Sequence, residues 1–462
     1  MLFNSIIFWL FFIFVLLSIY INSLVTKSIK IQNYLLLISS YIFYGYWDYR
    51  FLILIFIVSL QTFIFGHLIE KKRSKSKIYL IISICLNIII LGFFKYFNFF
   101  IIQINTILNS NNYYNTLNII LPVGISFYIF QSLTYVIDIY NSKMKAEKKI
   151  INYLTYVSFF PQLVAGPIER ARKLLPQFNQ LFYFRPNRIY EGIKISIIGL
   201  FLKIVIADNL GFYTDAIFLN YKNLSGGILT LGTIYFSVQI YADFCGYSLI
   251  AIGVAKIMGF ELSKNFNNPY AATSIQDFWR RWHISLSTFF RDYIYIPLGG
   301  SKHTKISTYK NILVTFVLSG LWHGANWTFI FWGFLNGIIL IFETHFSKII
   351  KLFSNKKISK FLNWLLTITI ISFLWIIFRS ESIYDAFLYI NRIIFEFDFP
   401  NQYREGLFIF GYFLILEIIV YIYDYEKTWF KKIYLEIIII SVFFILLIGN
   451  LNPNKNFIYF QF

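Results

Sequence analysis

Apolar runs of about 17 to 25 residues, each long enough to cross a bilayer as a helix, recur from the first residues of this chain to its last third. Nothing else in the sequence narrows the possible folds so far. With 58% hydrophobic residues and only 14% charged ones, the apolar excess cannot be hidden inside a water-soluble sphere. The expectation is an all-α polytopic membrane protein with the lipid bilayer as its solvent. At roughly 20 residues per helix, the runs predict about ten to twelve crossings. All of 1–462 is read as one membrane-embedded domain, because the longest loops are too short to fold alone.

The formal net charge of +19 would suggest nucleic acid in a soluble protein. Here the lysines and arginines sit mainly in short loops between apolar runs. Anionic lipid and the positive-inside rule account for that placement, and nucleic acid is excluded as a partner. Cys85 and Cys245 both lie in apolar stretches, with no spacing for a disulfide framework or a metal pair. The opening MLFNSIIFWLFFIFVLLSIYI has no basic leader and no small-residue cleavage site, so it is read as the first spanning helix. Lys27 and Lys30 just after it favour an outside N-terminus.

The basic clusters also order the loops. EKKRSKSK (70–77) and the basic stretch 143–149 are assigned to the cytoplasm, and the uncharged NSNNYYNT (109–116) to the outside. The short apolar stretch 152–165 has basic flanks on both sides, which predicts a segment that dips in and returns. Its FFPQLVAGP end disfavours a continuous helix, and such backbone is tolerated at membrane depth only when buried or lining a cavity. The run 311–346 is either a hairpin of two crossings or a pair of half-helices, returning to a basic loop at 348–360. The loop 380–405, with five acidic residues, is assigned outside.

Three segments carry residues that membrane-spanning helices normally avoid. In LSGLWHGANW (318–327), His323 stands amid a long apolar run, with Asn326 three residues on. A neutral imidazole there is a general-base candidate. SIQDFWRRWHISLSTFFRDYIYIPLGG (274–300) is predicted to form an amphipathic helix, with Asp277 and Arg281 paired one turn apart. His283 borders its apolar face beside Trp282. Arg280, Arg281 and Arg291 are candidates for phosphates of an anionic donor. An interfacial anchor would explain the tryptophans and arginines equally well, but does not call for His283. PVGISFYIFQSLTYVIDIY (122–140) and IYADFCGYS (240–248) supply Gln131 and Asp243, read as funnel-lining or helix-packing groups. Lys203 is read as snorkelling toward the outer surface. His67, His303 and His345 lie near loop ends with no evident partners. No metal, phosphate-loop or serine-elbow motif is present.

These blocks, together with FFPQLVAGPIER and NFNNPYAATSIQDFWRRWHISLS, resemble the signature segments of bacterial membrane-bound O-acyltransferases over nearly the whole chain. The resemblance is strongest to the alginate O-acetyltransferase branch, which includes peptidoglycan O-acetyltransferases. The D-alanyl transferase branch, which modifies teichoic acids, shares the histidine blocks and ranks second. One departure is Leu249 after Ser248, where related chains often carry Asp.

The resemblance implies re-entrant segments around a central funnel, with His323 as catalytic base and His283 as the second histidine. It implies acetyl-CoA, or a carrier-protein thioester in the D-alanyl case, as donor substrate, with no bound cofactor and no metal. It also implies a polysaccharide acceptor outside the bacterial cytoplasmic (inner) membrane and a separate extracytoplasmic partner with a nucleophilic serine. A transporter or flippase with histidines along its pathway is the reading of another class.

Overall fold

The computed structural model describes residues 1–108, 114–164, 166–346, 357–425 and 431–449. Part of the turn at 109–116 and most of the basic loop at 348–360 therefore lie outside the described residues. Every regular element among the described residues is helical, as the unbroken apolar runs require, because a helix satisfies its own backbone polar groups where no water is present. Among the described residues, seven helices are long and apolar enough to cross a membrane: Ile6–Leu24, Phe51–Lys71, Arg73–Leu108, Pro186–Leu219, Gly226–Ile257, Trp327–His345 and Ile358–Arg379. Their large apolar side chains are often exposed, among them Ile6, Phe14, Ile53 and Leu366, as expected where lipid is the solvent. Backbone contacts group the chain into two compact units, Met1–Ser196 with Ser248–Ser263, and Ile197–Tyr247 with Lys264–Phe462.

The first unit contains α1 (Ile6–Leu24), α2 (Ile29–Gly45), α3 (Phe51–Lys71), α4 (Ser76–Leu91), α5 (Phe97–Leu108) and α6 (Ile125–Tyr140). Gly124 starts α6 at a φ of 75°, a left-handed conformation that suits a residue without Cβ. The stretch expected to dip and return is two short buried helices, α7 (Ile150–Ser158) and α8 (Phe160–Leu163), broken at Phe159 with Pro161 in the first turn of α8. Buried amides tie it down. Asn33 Nδ2 donates to Asn152 Oδ1 at 2.9 Å and to the Phe178 carbonyl at 2.8 Å, and Tyr153 donates its hydroxyl to Thr62 at 2.8 Å. Just before α9 (Ala171–Leu174), Glu169 is held by the backbone N–H and hydroxyl of Ser263. Burial pushes its carboxyl pKa up.

α10 (Pro186–Leu200) runs through a π-helical stretch, Phe201–Ala207, into α11 (Asp208–Leu219), and α12 (Gly226–Ile257) follows. The second unit then holds α13 (Ile275–Arg281), α14 (Ile284–Phe290), α15 (Lys305–His323), α16 (Trp327–His345), α17 (Lys357–Arg379), α18 (Ile383–Phe395), α19 (Gly406–Tyr425) and α20 (Lys431–Ile448).

The run 311–346 is a hairpin of two 19-residue helices, not a pair of half-helices. At 1.5 Å per residue each is about 28 Å long, close to the thickness of the hydrocarbon core. The hairpin closes tightly because Gly320 faces Gly333. A Cβ on Gly333 would lie 2.3 Å from the Phe316 carbonyl oxygen.

Candidate active site

The segment 274–300 is not the single amphipathic helix its spacing predicts. Ser274 caps α13 by accepting from the Asp277 N–H, and α13 ends after seven residues. His283 then takes φ 42° and ψ 56°, and α14 begins at Ile284. A left-handed residue cannot continue a right-handed helix, so His283 is the corner between two short helices. Histidine is among the side chains enriched in that conformation, and strained backbone of this kind gathers at functional sites.

The segment 265–268 straps the corner in place. The Asn267 N–H donates to the Arg281 carbonyl at 3.0 Å, and the Ile284 N–H to the Asn265 carbonyl at 2.8 Å. Ser285 donates its hydroxyl to Asn265 Oδ1 at 2.6 Å. The first N–H groups of a helix lack intrahelical acceptors, so Asn265 supplies what the start of α14 needs. The predicted apolar face is real, but Ile275, Phe278, Trp282, Leu286, Phe289 and Phe290 are buried within protein and do not form an interfacial anchor.

His283 and His323 line one cavity of about 670 Å³, together with Trp282, Arg280 and Arg291. Of the residues singled out in the sequence, these five come together. His323 is the last residue of α15, and Gly324 turns the chain out of the helix in an extended conformation. Both histidines are buried, His323 at 5% and His283 at 1% exposure. Their rings meet aromatic edges: His283 packs on Phe244 with centroids 4.5 Å apart, and His323 on Trp322 at 4.9 Å. Burial lowers the His283 pKa to about 3, which keeps that imidazole neutral near pH 7.

The remaining candidates are placed elsewhere. Arg281 turns to Asp277 at 2.9 Å, as its spacing predicts, and does not line the cavity. Arg291 lines it but is largely exposed and pairs with Asp292 at 2.7 Å. Asn326 caps α16, accepting from the Thr328 N–H at 3.0 Å, and donates to the Glu381 carbonyl at 2.9 Å. Gln131 belongs to the first unit, where its amide donates to the Tyr156 carbonyl at 2.6 Å.

Asp243 pairs with Lys203 at 2.8 Å, and Lys203 also pairs with Asp208 at 2.8 Å. Lys203 is 1% exposed and does not snorkel. Two carboxylates inside the unit hold its ammonium, which outweighs the pull of water at the surface. His67 and His345 also differ from expectation. His67 Nδ1 is 3.1 Å from the Phe63 carbonyl, and His345 Nδ1 is 2.8 Å from the Tyr309 hydroxyl.

Several site residues were not singled out in the sequence. Thr308, Thr315 and Ser319 line the cavity from the same helix as His323. Their spacings of seven, four and four up to His323 are those of one helical face, so this signal was available. Asp208 and Glu343 were missed because their partners are distant in sequence or become visible only in the fold. Glu343 accepts from the Gln276 N–H at 3.0 Å and so anchors the start of α13.

Comparison with known proteins places this arrangement. Residues 146–380, which include both histidines, match the model of the membrane-bound O-acyltransferase family. "Probable alginate O-acetylase AlgI" of Pseudomonas syringae pv. tomato is 38% identical over 380 residues, covering 81% of this chain and 72% of that protein. "Peptidoglycan O-acetyltransferase" of Helicobacter pylori is 36% identical over 385 residues, covering 76% and 71%. "Teichoic acid D-alanyltransferase" of Bacillus subtilis is more distant, at 29% over 243 residues, covering 50% and 61%. The chain is thus a multi-pass membrane O-acyltransferase and belongs to the membrane-bound O-acyltransferase family.

Proposed function

We propose that this protein transfers an acetyl group from a thioester donor, acetyl-CoA, to a hydroxyl acceptor, with His323 as general base. The observation that carries the reading is the meeting of His323 and His283 in one cavity that also has Arg280 in its wall. His323 takes the proton from the accepting hydroxyl as its oxygen bonds to the thioester carbonyl carbon. The carbon–sulfur bond breaks, and the same proton passes from the imidazolium to the departing thiolate. An ester and a free thiol result, and the histidine ends neutral. His283, neutral and buried, orients the donor or donates a hydrogen bond to the charge developing on the carbonyl oxygen. Arg280 is exposed and has no ion pair among the described residues, so it is the better placed of the arginines to meet a donor phosphate.

The donor enters from the cytoplasmic side of the bacterial cytoplasmic membrane. The acetyl group leaves on the outer side for a polysaccharide, through a partner that carries a nucleophilic serine. Relatives named for alginate and for peptidoglycan acetylation support an extracytoplasmic polymer as the acceptor class.

Transfer of label from acetyl-CoA in proteoliposomes, with native chain, His323→Ala, His323→Gln and His283→Ala side by side, tests the reading. Loss of at least about 100-fold with either His323 variant is expected, within the range that general-base catalysis supplies. A folded native chain that accepts label only from a carrier-linked thioester would move the assignment to the D-alanyl branch. Undiminished transfer in both His323 variants would remove the base from the mechanism.

A further inference from the structure

His323 is part of the cavity wall. Around that imidazole stand Trp322 from α15, Trp332 from α16 and Phe378 from α17, with ring centroids 4.9, 5.2 and 5.2 Å away. A second shell of rings closes the gaps. Trp375 stacks on Trp332 at 5.9 Å, and Phe329 meets Phe378 at 4.9 Å. All five aromatic residues are at least nine-tenths buried, and none of them lines the cavity. The backbone past His323 is equally filled: a Cβ on Gly324 would stand 2.2 Å from Phe329 Cε2. Protein interiors at this density do not open for an extra methylene without strain.

A thioester has two ends. If its carbonyl carbon reaches His323 with the thiol-bearing arm lying back along the cavity, its acyl tail must point away from that arm. It then points into the closed ring cluster. We propose that this aromatic box sets acyl length, that it admits an acetyl group and rejects longer chains, and that Phe378 is its principal specificity-determining residue. Phe378 is chosen because it touches His323, Trp332, Phe329 and Trp375 together, so its removal opens the most space beside the imidazole. The inference rests on the acyl-transfer reading above and adds the substrate limit that follows from the packing.

The test is an acyl-length profile of the full chain in proteoliposomes, using acetyl-, propionyl-, butyryl- and octanoyl-CoA. One methylene in an apolar pocket is worth a factor of about 10 to 200. The native chain is therefore expected to fall by at least about tenfold at each added methylene. Phe378→Ala should raise the butyryl-to-acetyl ratio by about tenfold or more, while acetyl transfer itself declines. Should Phe378→Ala not reach the membrane folded, Phe378→Leu, which keeps most of the volume, is read for a smaller shift in the same direction. The ratio is decisive, because general loosening of the fold lowers both rates together.

A native chain that transfers butyryl as fast as acetyl overturns the proposal. So does an unchanged ratio in an active Phe378 variant. A native chain that turns over none of the four thioesters removes the acyl-CoA reading first and this inference with it, an outcome distinct from the other two.

Discussion

His283 joins two roles that one substitution would confuse, a left-handed backbone corner and a buried neutral imidazole. Asparagine tolerates the same conformation, so His283→Asn removes the imidazole while leaving the corner largely intact. Its pKa is depressed in the folded protein, so the unfolded chain binds the proton first as pH falls below about 6.5. Stability from the neutral form is therefore present above that pH and is lost progressively toward about 3. In detergent, the unfolding midpoint of the native protein should drop more steeply from pH 7 to 5 than that of His283→Asn. Parallel slopes would show that this histidine is not the titrating group. Lys203 gives a prediction of another kind. Lys203→Met strands two buried carboxylates and should cost about 3–5 kcal/mol. Adding Asp208→Asn and Asp243→Asn should return much of that, and a triple variant no more stable than the single one would exclude the charge explanation.

Among the helices, the hairpin of α15 and α16 depends most on close backbone approach. Gly333→Val would drive a side chain into the Phe316 carbonyl and push the two helices apart. Overpacking of this kind costs about 1–3 kcal/mol. A lowered unfolding midpoint with acetyl transfer reduced beyond the loss of folded protein is expected, since the same hairpin carries His323. Unchanged activity per folded molecule would show that the site tolerates a wider hairpin.

The short helices α13 and α14 show how far periodicity reaches. Ile275, Phe278, Trp282 and Leu286 marked the buried face, yet no spacing rule marks where a helix turns a corner. That depends on the strap at Asn265 and Asn267, whose hydrogen bonds join residues far enough apart to be invisible in a local window. Glu343 at the start of α13 is hidden for the same reason.

Across the chain, the fold class was legible because apolar runs dictate helices wherever the backbone has no water to bond. The broken element around Pro161 and the two histidine segments were legible because breakers and ionisable groups at depth are costly. What could not be read was pairing. Lys203 looked like a snorkelling side chain because Asp243 reaches it only once α12 lies beside the π-helical stretch, and Asp208, five residues on, follows no α-helical pairing step. Asn326 looked like a cavity residue and instead caps the start of a helix, while Arg281 was consumed by the neighbour its spacing had named. Trp332, Trp375 and Phe378 read as ordinary apolar content, since aromatic residues make up 22% of the chain and carry no mark of which ones will meet a histidine.

The turn between α15 and α16 spans only 324–326, and this has a consequence for how the protein is made. In a chain made from its N-terminus, α15 leaves the ribosome before α16 and α17. Until α16 and then α17 arrive, His323 has neither Trp332 nor Phe378 against it and faces lipid or water. The proposed base therefore gains these neighbours only after its own helix is complete. A nascent chain halted before Phe378 would carry the motif and the cavity wall without the ring that packs on His323 from α17.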